Sequence, residues 1–221
     1  MSRQTLRPSQ DSLLSAAIQV FMESGYSGAR VDEIARRAKA NKAMIYYHFG
    51  SKRGLYRAVL LRLFSTTVGE IERLSAEVHD PLERLRALYT LMARLFAEQP
   101  ALPHIMMREV LSGGRNMDRE AARALAAIIA SVRSALEQGT ASGAFRPLDP
   151  MLVHIGMLGP LILYFASRSF RDRLLPMTDL GLRAPAPEAL VRHLCDLLER
   201  GLSLHPPRES APAASGEKEP S

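Results

Sequence analysis

The sequence is poor in the residues that cross-link a chain or bind metals. Of its 221 residues only Cys195 is a cysteine, and none is a tryptophan. A single cysteine cannot form a disulfide within one chain, and it excludes a cysteine-rich metal site. The six histidines lie on separate segments and show neither an HExxH nor a Glu-x-x-His spacing. We therefore predict a protein without a metal and without a cofactor.

Long hydrophobic runs and catalytic motifs are also missing. The most apolar run, residues 151–166, contains a histidine and a proline, and it falls short of the roughly 20 residues that cross a bilayer. The N-terminus is polar and lacks an apolar signal segment. The chain contains no GxSxG motif and no glycine-rich phosphate loop. These absences predict a cytoplasmic protein that contacts no membrane and is not an enzyme.

Net positive charge is concentrated in the N-terminal part of the chain. Residues 1–62 contain 11 Lys and Arg against 4 Asp and Glu, whereas residues 63–221 contain 18 against 19. A small basic segment attached to a neutral remainder indicates that the basic segment binds a polyanion.

Helical periodicity and capping residues predict an all-α protein with about nine helices. Ser9 or Asp11, Asn41 and Ser51 are predicted N-caps, and Gly25 is a predicted helix end. We expect a head (residues 1–55), which is linked by a long helix over residues 52–76 to a body (residues 56–203), and a disordered tail (residues 204–221). The predicted helices cover residues 13–24, 31–38, 41–47, 52–76, 81–97, 101–112, 118–138, 150–166 and 187–200, with a possible short extension of the eighth over residues 169–175.

The stretch NKAMIYYHFGSKRGLY, residues 41–56, places three tyrosines, a histidine and a phenylalanine among three cations. Two short helices precede and begin this stretch, as in a helix-turn-helix, whose second helix enters the major groove. Ile45 and Phe49 are expected to face a small core with Phe21, Ile34 and Ala38. The predicted DNA contacts are Arg30, Lys42, Ala43, Met44, Tyr46, Tyr47, His48 and Lys52. The alternatives are that Tyr46 belongs to the core and that His48, Lys42 and Lys52 are ordinary surface residues.

Residues 13–55 resemble the N-terminal domain of the TetR/AcrR family of bacterial transcriptional repressors. LLSAAIQVFMESGY is similar to the family's first helix, and VDEIARRAKANKAMIYYHFGSK to its helix-turn-helix and the signature that follows. The resemblance implies an all-α fold of nine or ten helices. The chain departs from the family pattern at Lys39, where glycine is usual, at Arg30, where Thr or Ser is usual, and at Ala43-Met44.

In the body, the resemblance implies a pocket for a small hydrophobic effector whose binding releases the DNA. Flexible and aromatic side chains suit such a pocket, although ordinary core packing explains the same pattern. The predicted effector-binding residues are Tyr89, Met92, Phe96, His104, Met107, Arg108, His154, Met157 and Tyr164.

A palindromic operator requires two heads, and therefore a homodimer. The helices predicted over residues 150–166 and 187–200 are too apolar for a single chain to bury easily. The predicted interface consists of Leu152, Ile155, Leu158, Ile162, Leu190, Leu194, Leu197 and Leu198, and Leu163 lies on the same helix as the first four. The alternative is that both apolar stripes belong to the monomer core.

The sequence thus predicts an effector-responsive repressor that binds double-stranded DNA. An activator or a ligand-independent regulator is the nearest alternative. An enzyme or a helical scaffold with an added helix-turn-helix is a more remote one.

Overall fold

The computed structural model describes residues 9–178 and 180–203. These residues form ten α-helices and one short 3₁₀ turn, and they contain no β-strand. The predicted all-α fold is confirmed; the predicted tail, residues 204–221, lies outside the described residues. The helices are α1 (Gln10–Gly28), α2 (Val31–Arg37), α3 (Lys42–Phe49), α4 (Lys52–Glu77), α5 (Pro81–Glu98), α6 (Ala101–Ser112), α7 (Arg119–Ala141), α8 (Pro150–Ala166), α9 (Arg168–Leu174) and α10 (Pro187–Leu202), and the 3₁₀ turn is Leu175–Met177.

The helices of the head begin where local side chains can satisfy their free backbone N–H groups. The Ser9 hydroxyl accepts from the Ser12 N–H, the Asn41 side chain from the Ala43 N–H, and the Ser51 hydroxyl from the Gly54 N–H. All three are predicted caps, and all three are confirmed.

Two helices end differently from the prediction. Gly25 has a φ of 66° and breaks α1, as predicted, although one further turn continues to Gly28. The count of nine helices is one short, because residues 168–174 form a separate helix and not an extension of α8. The segment Arg168–Met177 turns away from α8 by 61°.

The head and the body share a continuous hydrophobic core. Phe21, Ile34 and Ile45 are fully buried in the head, and Phe49 and Ala38 pack partly buried against them, as predicted. In the body, α5 packs against α4, α7, α8 and α10, and α6 packs against both α1 and α8. Through α4 and α6 the body therefore contacts the head along two helices.

Helices α8 and α10 run antiparallel and are joined at both ends. Before α8, the Arg146 N–H donates to the Leu202 carbonyl over 3.0 Å. At its other end, the Tyr164 hydroxyl donates to the Pro185 carbonyl over 2.5 Å. Both helices pack on α5, so their remaining faces point away from the body.

No individual helix within residues 9–178 and 180–203 has the length and hydropathy of a membrane span. Only the bent pair of Pro150–Ala166 and Arg168–Met177 reaches those values in combination.

Lys39, in the turn between α2 and α3, has a φ of 51°, and among the described residues it is the sole non-glycine with a positive φ. A side chain in this left-handed conformation is strained. We expect Lys39→Gly to raise the free energy of unfolding by about 1 kcal/mol, measured by urea denaturation. Lys39→Ala is the matched control, because it removes the charge and keeps a Cβ. Equal stabilisation by both variants would show that the charge of Lys39, and not its backbone conformation, lowers the free energy of unfolding.

Candidate nucleic-acid interface

The α2–turn–α3 unit presents one face of α3 to solvent. Ile34 and Ala35 anchor α2 in the core, and Ile45 anchors α3. The opposite side of α3 is open, with Tyr46 45% and Tyr47 85% exposed. Lys42, Ala43 and His48 are also exposed, whereas Met44 is half-buried. This face thus brings polar ring tips and a cation together on a rigid support, and Tyr46 does not belong to the core.

Arg30 precedes α2 and makes no capping bond through its side chain. It is exposed and forms no ion pair with any residue that the structure describes. The same is true of Lys39 and Arg53. Arg53 lies in the first turn of α4, beside the predicted contact Lys52, and sequence reasoning missed it.

Lys42 is held by an acid from the preceding helix. Its Nζ lies 2.9 Å from Asp32 Oδ1 and 3.1 Å from Oδ2. The hydrogen bond to Asp32 raises the pKa of Lys42, so the ammonium group stays charged. A DNA phosphate that binds Lys42 competes with Asp32 for the same protons.

Lys52 does not project freely from α4. It is half-buried, its Nζ lies 4.8 Å from the centroid of the Tyr26 ring, and it donates to the Ser27 carbonyl over 3.4 Å. Burial lowers the pKa of its ammonium group. Lys52 therefore joins the start of α4 to the end of α1, a structural role that the sequence did not reveal.

Other cations of α2 are neutralised within the head. Arg36 and Arg37 both donate to Glu33, and Arg37 also donates to Glu23 on α1. These hydrogen bonds lower the pKa of Glu33 to about 2. The network fixes α2 against α1. Arg30, Lys39 and Arg53 near α3 form no ion pair with the residues that the structure describes, although Arg53 is close enough to Asp118 to help lower the pKa of that carboxyl.

The predicted effector-binding residues divide into two groups. Tyr89, Met92, Phe96 and Met157 are each at most 3% exposed and belong to the core that α5 and α8 share. The structure thus brings these four together, with the Tyr89 hydroxyl donating to the Gly156 carbonyl over 3.4 Å. Met107 packs half-buried against the same core.

The polar members of that prediction lie apart from one another. His104 Nδ1 is 2.7 Å from the Pro100 carbonyl of its own helix. Arg108 donates to the Met22 and Glu23 carbonyls and so ties α6 to α1. His154 has a shielded Nδ1 without a partner among the described residues, and burial lowers its pKa. Tyr164 lies at the far end of α8.

The predicted interface residues also separate. Leu152, Ile155 and Leu197 are 69%, 58% and 54% exposed, and Leu163 is exposed as well. Leu158, Ile162 and Leu194 are buried in the monomer core, so that little of these side chains is left for a second chain to contact. Leu190 and Leu198 are half-buried against that core.

The exposed side of α8 forms an apolar stripe, which we call the α8 stripe. It includes two glycines with open space where a Cβ would lie. Its members are Leu152, Ile155, Gly156, Gly159 and Leu163. A smooth apolar helix face of this kind suits close packing against another helix.

A buried polar contact joins α4, the helix that links the head to the body, to α6. The Tyr56 hydroxyl donates to Glu109 Oε1 over 2.6 Å, and the Asn116 Nδ2 donates to the same oxygen over 3.0 Å. Both Tyr56 and Glu109 are buried. The Tyr56 ring also packs edge-on against Phe21 and Tyr26 of α1. Burial, together with the Glu109 carboxylate, raises the pKa of the Tyr56 hydroxyl, which therefore remains protonated as a donor.

Comparison with known proteins agrees with this geometry. The profile of bacterial regulatory proteins of the tetR family matches residues 13–59, and the profile of the tetracyclin repressor-like C-terminal domain matches residues 81–197. The HTH-type transcriptional repressor NicS of Pseudomonas putida is 31% identical over 158 residues, which cover 71% of this chain and 74% of NicS.

Two solved structures share the fold. The TetR family transcriptional regulator PfmR from Thermus thermophilus is 28% identical, with a TM-score of 0.68 over 90% of this chain and 99% of PfmR. The regulator FadR from Bacillus subtilis, in complex with stearoyl-CoA, has a TM-score of 0.69 over 87% of this chain and 99% of FadR. At 19% identity, FadR supports the fold of the present chain and not its ligand.

Proposed function

The chain belongs to the TetR family of bacterial regulatory proteins, and from that premise we propose that it is a homodimeric repressor which a small hydrophobic effector releases from a palindromic operator. It is a DNA-binding transcriptional regulator with an N-terminal helix-turn-helix. The observation that carries the proposal is the open face of α3, where Lys42, Tyr46 and Tyr47 project from a helix that the fully buried Ile45 anchors.

In the proposed complex, the first turn of α3 reaches the base edges. Ala43 and Met44 supply small or apolar contact there, and Lys42 reaches a phosphate or a base. Tyr46, Tyr47 and His48 donate to phosphates at the rim of the groove. Arg30, Lys52 and Arg53 supply further positive charge and make the affinity dependent on salt.

The proposed dimer buries the α8 stripe and Leu197 of α10 against their copies across a two-fold axis. Contiguous exposed apolar surface of this kind often marks an interaction site. Helices α8 and α10 both pack on α5 and leave Ile155 and Leu197 exposed, which supports a four-helix contact. Two heads are then fixed at one spacing, as a palindrome requires.

The proposed domain division places residues 1–55 in the DNA-binding head and residues 56–203 in the body, with α4 crossing from one to the other. An effector that enters the core between α5 and α8 must favour a conformation in which the heads have the wrong spacing. The buried methionines and aromatic rings of that core support an apolar effector. The α4 and α6 contacts with the head supply the route for the change.

The DNA-binding face is tested by single substitutions in α3. We expect Lys42→Ala and Tyr46→Phe each to weaken operator binding by about 1 kcal/mol or more, which corresponds to at least about fivefold in Kd, measured by gel shift. Arg133→Ala is the control, because it removes one exposed cation from α7 of the body. Unchanged affinity in both α3 variants would contradict the proposed docking.

A further inference from the structure

The junction between α8 and α9 contains a cleft that the predicted effector residues, apart from Tyr164, do not line. Its two parts have volumes of about 480 Å³ and about 260 Å³. The two parts share Arg171, Asp172 and Ala184. We call the whole the α8–α9 cleft. Arg171 thus lines both parts, and each part also has apolar lining residues.

Arg171 is held in place, and part of its guanidinium group is left unpaired. Its carbon Cζ lies 4.1 Å from the centroid of the Tyr164 ring. Nη1 donates to the Tyr164 carbonyl and, over 2.7 Å, to the Ser167 hydroxyl. Nε is shielded from solvent and has no acceptor in the described part of the chain. Nη2 makes no hydrogen bond with the described residues. An arginine that is fixed by stacking and by Nη1 is therefore preorganised to receive an acceptor at Nη2.

Three of the four charged residues that the structure describes along the cleft are arginines. Arg168 lines the smaller part of the cleft and Arg183 the larger part. Among the described lining residues the one carboxylate is Asp172, and its Oδ2 lies 3.7 Å from Arg168 Nε. No carboxylate oxygen in residues 9–178 and 180–203 lies within ion-pairing distance of Arg171. An arginine without an ion pair among the described residues, with two further arginines in the same cleft, favours an anion.

The wall beside Arg171 is aromatic and continues into the body. The Tyr164 and Phe165 rings pack edge-on with centroids 5.1 Å apart. Phe165 in turn packs edge-on, at 5.8 Å, against Phe96 in the buried core. An apolar group in the cleft thus touches the outer end of an aromatic row that leads to the core where we place the effector.

We propose that the α8–α9 cleft binds a small amphipathic anion, with its carboxylate or phosphate against Arg171 and its apolar body against Tyr164 and Phe165. This inference rests on the proposed function, because it gives the hydrophobic effector a charged end. The Nη2 end of the guanidinium group can donate a charge-assisted hydrogen bond to an oxygen of the carboxylate or phosphate. The 260 Å³ part of the cleft has room for a chain of several carbons.

Isothermal titration calorimetry with matched eight-carbon probes tests this proposal on the full-length protein without DNA. We expect octanoate or octyl phosphate to bind at least about tenfold more tightly than the neutral octanol, because only the anions form charge-assisted hydrogen bonds with Arg171. The tighter of the two anions identifies the headgroup. Equal binding of all three probes, or binding of none up to millimolar concentration, would overturn the proposal.

Three variants locate the effect. Arg171→Gln is expected to abolish the preference for the anions. Arg171→Lys is expected to reduce it, since lysine keeps the charge but loses the planar group that stacks on the Tyr164 ring. Arg192→Gln on α10 is the control and is expected to keep the preference. If Arg171→Gln is misfolded by circular dichroism, the result for Arg171→Lys decides. A preference that survives in Arg171→Lys at full strength would assign the anion to another cation. Failure of the operator assay would not alter these results, because they contain no DNA.

Discussion

Replacing Ile155 with aspartate is expected to convert the protein into monomers and to weaken operator binding by at least about 100-fold. Ile155 lies at the middle of the α8 stripe and is 58% exposed in the single chain. In the proposed dimer its copy lies close by, so the variant would bury two unpaired carboxylates at one interface, which is strongly unfavourable. The single chain itself loses little, because the side chain points to solvent. Light scattering at micromolar concentration and a gel shift are the measurements.

The loss of affinity follows from the loss of one head. A monomer contacts one half-site, and each lost base-pair contact costs about 1–3 kcal/mol. Leu111→Asp is the matched control, because Leu111 is an exposed leucine at the end of α6, away from the α8 stripe. We expect it to remain dimeric and to bind normally. If Ile155→Asp stays a dimer, the α8 stripe is not the interface.

Removing the hydroxyl of Tyr56 is expected to lower the free energy of unfolding by about 1–3 kcal/mol. Tyr56→Phe keeps the ring that packs on Phe21 and Tyr26, but it takes the 2.6 Å donor away from the buried Glu109 carboxylate. The remaining donors to Glu109 are Asn116 at 3.0 and 3.4 Å and Ser112 at 3.4 Å, so the charge is left with weaker hydrogen bonds. Urea denaturation measures the change.

The same contact ties α6 to α4, the helix that crosses from the head to the body, at a ring that packs on Phe21 and Tyr26 of the head. Tyr56→Phe is therefore expected to have a functional consequence. With the link weakened, we expect effector binding in the body to change operator affinity less than in the unmodified protein. Tyr26→Phe is the matched control, because the Tyr26 ring touches Tyr56 while its hydroxyl makes no hydrogen bond with the described residues. Equal loss of stability in the two variants would show that the Tyr56–Glu109 bond contributes nothing specific.

Features with a local cause were predictable from the sequence. Ser9, Asn41 and Ser51 begin helices because their side chains satisfy N–H groups two or three residues away. Gly25 breaks α1 for a similarly local reason. The small core of the head, around Phe21, followed from helical periodicity together with the resemblance to the family.

Features that depend on distant residues were not predictable. The Tyr56–Glu109 bond joins positions 53 residues apart, and no sequence pattern marks it. The sequence predicts Lys52 as a DNA contact, and the structure places its ammonium group over the Tyr26 ring and within hydrogen-bond distance of the Ser27 carbonyl. Helix α8 is apolar on all sides, so periodicity alone could not decide that Leu158 faces the body while Ile155 faces solvent.

The effector prediction had the same difficulty. A buried methionine such as Met92 or Met157 gives the same sequence signal whether it lines a cavity or fills a core. The role that we propose for Arg171 was not predictable for a different reason. It depends on a 61° bend between α8 and the following segment. Arginines in a short polar segment carry no signal of that geometry.

The central claim is that two copies of the α3 face bind one symmetric operator, and footprinting on the DNA upstream of the protein's own gene tests it most directly. The account predicts protection of two half-sites related by a palindrome, with centres about one helical turn or a multiple apart. It also predicts that affinity falls steeply as salt is raised. Equal and weak binding to every duplex, including that upstream region, would contradict the account.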